Sequence, residues 1–290
     1  MPFHRFLRRA AAAACLAGAA GASFACNPIS AVPAVISAPG RYCLTQDLSF
    51  PSARGIAIDI QASEVTVDLQ GYTLRGPHYG GVATIAESVA VMANNRNNIT
   101  VRDGRIVGFG TGVSIGGTST LTAGHLVEKL HIDGNAAVGI GMGAAGSVVR
   151  DNRITRLNGR LQTGVSTKAV TGIYSGHFFW PHMGNQIVNN AIVNFNGESS
   201  NPSAAIYLER APGTLVEGNY IEGGANTWDA PLFYGVRMMF AADVTVMNNR
   251  IHRVYRGVEY GNQAAGKYSG NVTEAVTVPY TGGTPVGSNN

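Results

Sequence analysis

Residues 149–154, with the sequence VRDNRI, are one copy of a six-residue phrase that recurs along this chain and decides its fold. Each copy begins with valine or isoleucine and closes with isoleucine. Successive copies start 22 to 38 residues apart, so insertions fall between copies and not within them. A repeat of this kind predicts a solenoid with one copy per coil. The other copies are 101–106 (VRDGRI), 127–132 (VEKLHI), 187–192 (IVNNAI), 216–221 (VEGNYI) and 246–251 (VMNNRI).

Each phrase predicts a strand, a turn and a second strand, with the branched residue at either end pointing inward. Asparagine in the fourth position tolerates a left-handed turn, and its amide can bond to the asparagine one coil away. A further strand follows each phrase, usually opened by glycine, as in Gly139-Ile140 and Gly172-Ile173. Three short parallel strands per coil predict an all-β fold, a right-handed parallel β-helix. The ladder asparagines are Asn152, Asn190, Asn219 and Asn249.

The first 25 residues have the composition of an export signal. Three arginines precede a small apolar run over 10–21, and Ser23-Phe-Ala25 offers a cleavage site. The run is too short for a membrane span. A lipoprotein signal stays open as an alternative, because Cys26 would become the new terminus. We therefore predict a secreted or periplasmic protein.

Charge and composition limit the classes of function. Loss of the signal removes three arginines and no acids, so the formal net charge falls from +4 to +1. A nearly neutral chain is a poor candidate for binding nucleic acid. The 38 glycines and the low charged fraction of 13% favour tight turns and buried strands.

The chain is expected to form one elongated domain. Cys26 and Cys43 are the only cysteines after the signal, and in an exported protein such a pair predicts one disulfide. The predicted boundaries are a cap over 26–54, the β-helix over 55–278 and a flexible tail over 279–290, where glycine, threonine and serine are frequent. The oligomeric state is left undetermined by these patterns.

The repeated Val-x-x-Asn-x-Ile phrases and glycine-led strands resemble those of the pectate-lyase-like superfamily of parallel β-helix proteins, over roughly residues 55 to 275. The resemblance implies a polysaccharide groove lined by the first strand of each coil and by the loops before it. Loop lengths favour the same face, because the three long connections at 155–171, 193–205 and 222–235 are consecutive. Neighbouring loops of this kind are expected to build a wall over that face.

Strand alternation predicts which side chains line this face. The outward row is Tyr174, Tyr207, Arg237 and Glu259, and Glu209 lies two positions after Tyr207. Earlier coils carry only serine or glycine at the equivalent positions, so large side chains begin where the long loops begin. The loops and the segment after the strand at 173–175 add further candidates, namely Lys168, His177, Trp180, His182, Trp228, Asp229 and Tyr234.

Simpler interpretations stay open for each of these groups. The tyrosines can form a stack on the outside of the helix without any function. Arg237 and Glu259 can form a solvent-exposed ion pair that contributes little to stability. The tryptophans can pack against their own loops. The two histidines have a suggestive spacing, but no third ligand is evident, so no metal site is predicted. A second outward row, Arg105, His131, Arg153, Tyr220 and Arg250, is interpreted as a solvated face or as a basic stripe for an acidic polymer.

The favoured reaction is elimination across a uronic-acid glycosidic bond, by a polysaccharide lyase. Arg237 would clamp the carboxylate, Tyr207 or Lys168 would be the base, and His177 or His182 an auxiliary acid. Tyr174, Trp180, Trp228, Asp229 and Tyr234, with Glu209 and Glu259, would bind the sugar chain.

Other enzymes of this fold fit the sequence less well. It lacks the clustered aspartates of related hydrolases and the calcium-binding carboxylates of pectate lyases. No cofactor is therefore predicted, and a weak dependence on calcium stays open as an alternative. The Asp-Pro-His phrase of mannuronan epimerases has only Trp180-Pro-His182 as its nearest match. The rival from another class is a non-catalytic carbohydrate-binding or cell-envelope protein. It would use the same groove without a base beside an acid.

Overall fold

A computed structural model describes residues 26–77, 87–117, 122–157, 169–177, 181–196, 202–225, 227 and 229–290. All regular structure in these ranges is β-strand. The strands are β1 Asn27–Ile29, β2 Ala34–Ile36, β3 Gly40–Leu44, β4 Leu48–Ser49, β5 Arg54–Ile60, β6 Val65–Asp68, β7 Thr73–Arg75, β8 Glu87–Asn94, β9 Ile99–Val107, β10 Thr111–Gly116, β11 Leu126–Asp133, β12 Val138–Gly143, β13 Val148–Arg150, β14 Arg153–Thr155, β15 Thr171–Gly176, β16 Gln186–Val188, β17 Ala191–Phe195, β18 Ser203–Glu209, β19 Leu215–Glu217, β20 Tyr220–Gly223, β21 Phe233–Met239, β22 Val244–Met247, β23 Arg250–His252, β24 Arg256–Gly261, β25 Gly266–Ser269, β26 Val272–Glu274, β27 Val278–Thr281 and β28 Thr284–Pro285.

Every strand pairs in parallel with the equivalent strand of the next coil, which confirms the predicted right-handed parallel β-helix. The coil has three faces. The first is a ten-stranded sheet in the order β2-β5-β8-β10-β12-β15-β18-β21-β24-β27. The other two belong to one eighteen-stranded sheet, because β9 and β11 each run through the corner between them. On later coils this corner separates two short strands, such as β13 on the second face and β14 on the third.

The inside of the coil is filled by stacked aliphatic residues. The isoleucine that closes each phrase pairs in register with its equivalent on the next coil, and all six are fully buried. Each fully buried isoleucine stabilises the fold by about 1.5–3 kcal/mol relative to an exposed one. Stacking therefore yields one continuous core along the axis. The six are Ile106, Ile132, Ile154, Ile192, Ile221 and Ile251.

A buried asparagine ladder runs along the corner between the second and third faces. Asn152 Nδ2 donates to Asn190 Oδ1 at 3.0 Å, and the same bond joins Asn190 to Asn219 and Asn219 to Asn249, also at 3.0 Å. The backbone N–H of each donates to the same oxygen of its neighbour, at 2.9–3.1 Å. The predicted ladder is confirmed. It also continues one coil further, to Asn271.

The left-handed backbone of this turn lies one residue before the ladder, and not on the ladder as predicted. Asp151, Asn189 and Asn248 have φ of 57°, 56° and 56°, and Gly218 and Gly270 fill the same position on other coils. The reason is geometric. The left-handed residue turns the backbone from the second face to the third, and the asparagine that follows it can then direct its amide along the axis to the next coil.

Close approach of neighbouring coils explains the glycine that opens most strands of the first face. A Cβ on Gly172 would lie 2.5 Å from the carbonyl oxygen of Ala205 and 2.9 Å from Ile192 Cγ2. A real Cβ does not lie 2.5 Å from a carbonyl oxygen. The two coils can therefore approach each other this closely only because residue 172 has no side chain.

Strand pairing continues into both ends of the described chain. Strands β1 to β4 pair with β3, β5, β6 and β7, so residues 26–54, the predicted cap, stack on the coils that follow, and the predicted boundaries stay predictions. The predicted disulfide between Cys26 and Cys43 is present and joins the start of this coil to β3. At the other end, β27 and β28 pair with β24 and β25, so strand pairing reaches Pro285, within the predicted tail over 279–290. Within the described ranges, the chain has no apolar helix of the length needed to cross a bilayer.

We predict that Asn219→Ala destabilises the fold by about 3 kcal/mol, because it leaves the buried N–H of Asn190 and the carbonyl of Ile187 without partners. Chemical denaturation measures the change. The matched control is Asn289→Ala at the end of the ladder, whose oxygen accepts only weak bonds of 3.3 and 3.5 Å. Equal losses in the two variants would contradict a stabilising role for the ladder interior.

Candidate functional site

The outer side of the ten-stranded sheet carries the predicted row in the predicted register. Tyr174 pairs with Tyr207, Tyr207 with Arg237, and Arg237 with Glu259, so these four side chains follow one another along the axis. One coil before Tyr174 the same position is Gly141. The parallel register of β15, β18, β21 and β24 therefore creates a step from a bare surface to a tyrosine and arginine wall.

This step forms a groove of about 490 Å³. Ser114 and Gly141 lie in it on the bare side, and Tyr174, Tyr207 and Arg237 line the other side. Ala169 and Pro202 also line the groove, at the ends of two of the three long connections. A second cavity of about 200 Å³ shares Ser114, Gly141 and Tyr174 and extends to His177.

The two tyrosines contact each other and are held at their hydroxyl ends. Their ring centroids lie 5.6 Å apart. Tyr174 Oη donates to Glu209 Oε2 at 3.0 Å, whereas Tyr207 Oη donates to the weak acceptor Met239 Sδ at 3.3 Å. Burial, followed by the charge of Glu209, raises the pKa of both hydroxyls. Both tyrosines therefore stay protonated near neutral pH, and the Tyr207 hydroxyl, which is held only by a weak acceptor, is the one that can donate to a ligand.

Arg237 belongs to a partly buried cluster at the far end of the groove. Its Nε lies 3.6 Å from Glu259 Oε1, and Arg256 Nη1 donates to Glu259 Oε2 at 2.6 Å. Tyr234 lies between the two guanidinium groups, whose central carbons are 4.6 and 5.8 Å from its ring centroid. The side chains of Arg237 and Glu259 are only 18% and 10% exposed, so the pair is not the solvent-exposed one considered above. Because Arg237 and Arg256 share the single carboxylate of Glu259, these three side chains together carry one net positive charge.

Several predicted site residues take other positions. Tyr234 is not in a loop but in β21, where its ring is buried beneath Arg237 and Arg256. Asp229 is exposed and does not line the groove described above. Lys168, Trp180 and Trp228 lie outside the described residues, so their predicted roles stay predictions.

The two predicted histidines separate into an accessible and an inaccessible one. His177 lines the smaller cavity, and its backbone N–H donates to the carbonyl of Glu209 at 3.3 Å. His182 is fully buried, and neither of its ring nitrogens has a hydrogen-bond partner among the described residues. Burial, and then the neighbouring His177, lowers the pKa of His182. A substrate in the groove would not reach this buried ring, so the auxiliary-acid role predicted for His182 has no support from its position.

A second buried histidine, close to His182, was not identified from the sequence. His125 is 2% exposed, and its Nδ1 accepts the N–H of Ile99 at 3.2 Å. Burial, followed by the nearby His182, lowers the pKa of His125 to about 4. The described residues contain no group of three or more histidine, cysteine or acidic side chains that could hold a metal ion.

Arg256 was also missed, and for a definable reason. Strict alternation from the inward Val258 places residue 256 inside, yet its side chain bonds to Glu259 on the outer side. The residues in register with it on earlier coils, Ala204 and Thr171, line the groove as well. Alternation therefore fails across the glycine or alanine near the start of each of these strands, where neighbouring coils approach closely.

Comparison with known proteins supports the fold. No protein-family model matches the sequence, and no curated protein matches it either. A mutant of the periplasmic alginate epimerase AlgG is similar in structure, with a TM-score of 0.52 and 12% identity over 88% of this chain and 70% of that one. This likeness shows a shared β-helical fold.

Two further solved structures are similar at lower scores. The alginate lyase from Paenibacillus sp. str. FPU-7 has a TM-score of 0.47 and 13% identity over 83% of this chain and 93% of that one. The enzymatically active domain of Bacteriophage CBA120 tailspike protein 2 has a TM-score of 0.49 and 11% identity over 88% of this chain. The match spans 39% of that tailspike domain.

We predict that stability falls as the pH drops from about 6.5 towards 4. In this window the unfolded chain binds a proton at His125 and the folded chain does not, so acid favours unfolding. The lowered pKa of His125 corresponds to a loss of about 3 kcal/mol, and that of His182 acts in the same direction. Denaturation curves at several pH values measure this slope.

His125→Asn keeps an acceptor for the Ile99 N–H and removes the titrating ring, so the slope should flatten. The control is His252→Asn on the outer side of β23, which leaves both buried rings in place. An unchanged slope in His125→Asn would contradict the assignment.

Proposed function

We propose that the chain acts on an acidic polysaccharide in the groove of the ten-stranded sheet, as a lyase that eliminates across a uronic-acid glycosidic bond. The observation that carries the proposal is the convergence of Tyr174, Tyr207 and Arg237 on one wall of the groove, opposite the bare positions Ser114 and Gly141. An open trough with aromatic and cationic side chains on one wall suits a sugar chain better than a globular partner.

Each wall residue has a recognisable use in binding. The tyrosine rings offer apolar faces for stacking on sugar rings, and the protonated hydroxyl of Tyr207 is held only by a weak acceptor. The cluster of Arg237, Arg256 and Glu259 places one net positive charge at the end of the groove. This charge would select a sugar with a carboxylate, as in a uronate polymer, the type of polymer that the similar alginate epimerase acts on.

Elimination would divide between these groups. Arg237 would neutralise the substrate carboxylate and so acidify the proton on the carbon beside it. A base removes that proton, a carbon–carbon double bond forms, and the bond to the glycosidic oxygen breaks. Tyr207 suits proton donation to the leaving oxygen, because burial raises its pKa and keeps it protonated. This reverses the role of base that the sequence suggested for Tyr207.

We assign the base to His177, which lines the adjoining cavity beside Tyr174. Imidazole accepts protons readily near neutral pH. The two cavities share Tyr174, so a sugar stacked there would lie beside the cavity that holds Arg237 and the one that holds His177. Lys168 remains an alternative base.

The proposal also includes export. The first 25 residues have the pattern of a signal peptide. The disulfide between Cys26 and Cys43 is typical of an oxidising compartment. A secreted or periplasmic location would place the groove where structural polysaccharides occur.

We predict that Arg237→Ala lowers the rate of elimination by about a hundredfold or more, because the developing carboxylate charge loses its counterion. Unsaturated uronate products absorb in the ultraviolet, so absorbance during incubation with pectate, alginate and glycosaminoglycans measures turnover. The control is Arg54→Ala, an exposed arginine of the same sheet that does not line the groove. A wild-type trace that stays flat on every polymer, with and without calcium, would reject the lyase.

One observation favours a second candidate, a non-catalytic carbohydrate-binding protein. The pKa values of Tyr174 and Tyr207 are both raised, so the two hydroxyls nearest the substrate donate protons but do not remove them. If His177 does not act as a base, the groove is equipped for binding and for nothing more.

Tyr207→Phe separates the two candidates. For a lyase we expect at least tenfold slower turnover with binding of product oligosaccharides nearly unchanged, because the ring remains and only the proton donor is lost. Isothermal titration calorimetry measures the binding. If the wild type binds oligosaccharides but never releases unsaturated product, the binder is the better description.

A further inference from the structure

Three arginines form a row on the outer side of the third face, away from the groove. Arg105, Arg153 and Arg250 occupy one outward column, which the pairing of β9, β11, β14, β17, β20 and β23 keeps in register. All three side chains are exposed. His131, Ala191 and Tyr220 occupy the same column between them. We call the five residues other than Ala191 the arginine row.

The arginine charges of the row are only partly offset within the described part of the protein. After the Thr73 backbone and Arg75, the charge of Arg105 also lowers the pKa of Asp47. None of the three arginines of the row forms an ion pair with a described residue. Three of the carboxylates near the row are paired with other arginines, namely Asp47 with Arg75, Asp133 with Arg156 and Glu222 with Arg253. A fourth, Glu274, contacts the ring of His252.

This concentration of charge is unusual for so neutral a chain. Residues 26–290 carry a formal net charge of only +1, whereas this one face carries three exposed arginines without a described ion-pair partner. Coils are stacked about 4.8 Å apart. Arg105 and Arg153 are therefore about 10 Å apart and Arg250 follows about 14 Å further on, which makes a line of about 24 Å along the axis.

The residues between the arginines add to the same surface. The exposed ring of Tyr220 lies 5.6 Å from the ring of His252. Burial lowers the pKa of His131, and so do Arg105, Arg153 and Arg156, although Asp133 opposes them. The guanidinium groups of Arg105 and Arg153 therefore lie near enough to His131 to act on its charge.

We propose that the arginine row is a second binding surface, for an anionic polysaccharide that lies parallel to the helix axis. Successive carboxylates of the polymer meet the guanidinium groups, and Tyr220 offers an aromatic face to a sugar between them. A polysaccharide is favoured over nucleic acid because the disulfide between Cys26 and Cys43 is typical of an exported protein. The surface differs from the groove in both face and residues, so it does not rest on the proposed reaction.

Such a surface would hold a long polymer while leaving the groove open. Its contacts are exposed and therefore screened by salt, so the affinity depends strongly on ionic strength. The groove cluster of Arg237 and Glu259 is mostly buried, so its contribution to binding depends less on salt.

The test compares the full chain with the triple variant Arg105→Gln, Arg153→Gln, Arg250→Gln. Fluorescence anisotropy with labelled polygalacturonate, at low and at physiological salt, measures the affinity. We expect a loss of about tenfold at low salt and a much smaller loss at high salt. The control triple variant Arg54→Gln, Arg96→Gln, Lys267→Gln removes the same charge elsewhere and should bind as the parent does.

Each outcome decides the question. Equal losses in the two triple variants would reduce the effect to net charge and overturn the proposal, as would unchanged binding in the arginine-row variant. Tighter binding of single-stranded DNA than of polygalacturonate would also overturn it. Thermal unfolding verifies that both variants are folded.

Failure of the groove proposal gives a different result. In that case Arg237→Ala and the parent both lack turnover, while the arginine-row variant alone loses salt-sensitive binding. Turnover on short oligosaccharides, where the parent shows it, should be unaffected by the arginine-row variant, because such substrates do not reach from the groove to the third face.

Discussion

The hydrogen bond that each ladder asparagine gives to the next holds successive coils in one fixed register. All other features depend on that register, because strand side chains alternate between the core and the surface. A shift of one residue would move the buried isoleucines outward and the tyrosines of the groove inward. Since the ladder bonds are buried and unbroken over several coils, the register is maintained along the axis.

With the backbone repeated so regularly, function depends on which side chains occupy each column. On the first face the same column changes from Ser114 and Gly141 to Tyr174, Tyr207 and Arg237 over successive coils. The change from small to large side chains makes a groove without any alteration of the sheet. The environment then tunes the chemistry, because burial keeps the tyrosines protonated and Glu259 partly balances the two arginines.

The distribution of charge divides the surface into regions with different properties. In the groove, the guanidinium of Arg237 is mostly enclosed, shared with a carboxylate and stacked near two aromatic rings. On the third face, Arg105, Arg153 and Arg250 are exposed and lack a described ion-pair partner. The first arrangement suits orientation of one sugar, whereas the second suits salt-sensitive attraction of a long polymer.

The sequence by itself determined the coil, the asparagine ladder, the disulfide and the register of the groove row, because each depends on a short repeated pattern. Only the tertiary structure decided what encloses each side chain. It buried His182, formed the cluster around Glu259 and extended the coil through both ends of the described chain. Arg256 and His125 could not be identified from alternation, since their surroundings come from other coils and from corners where the two-residue period fails.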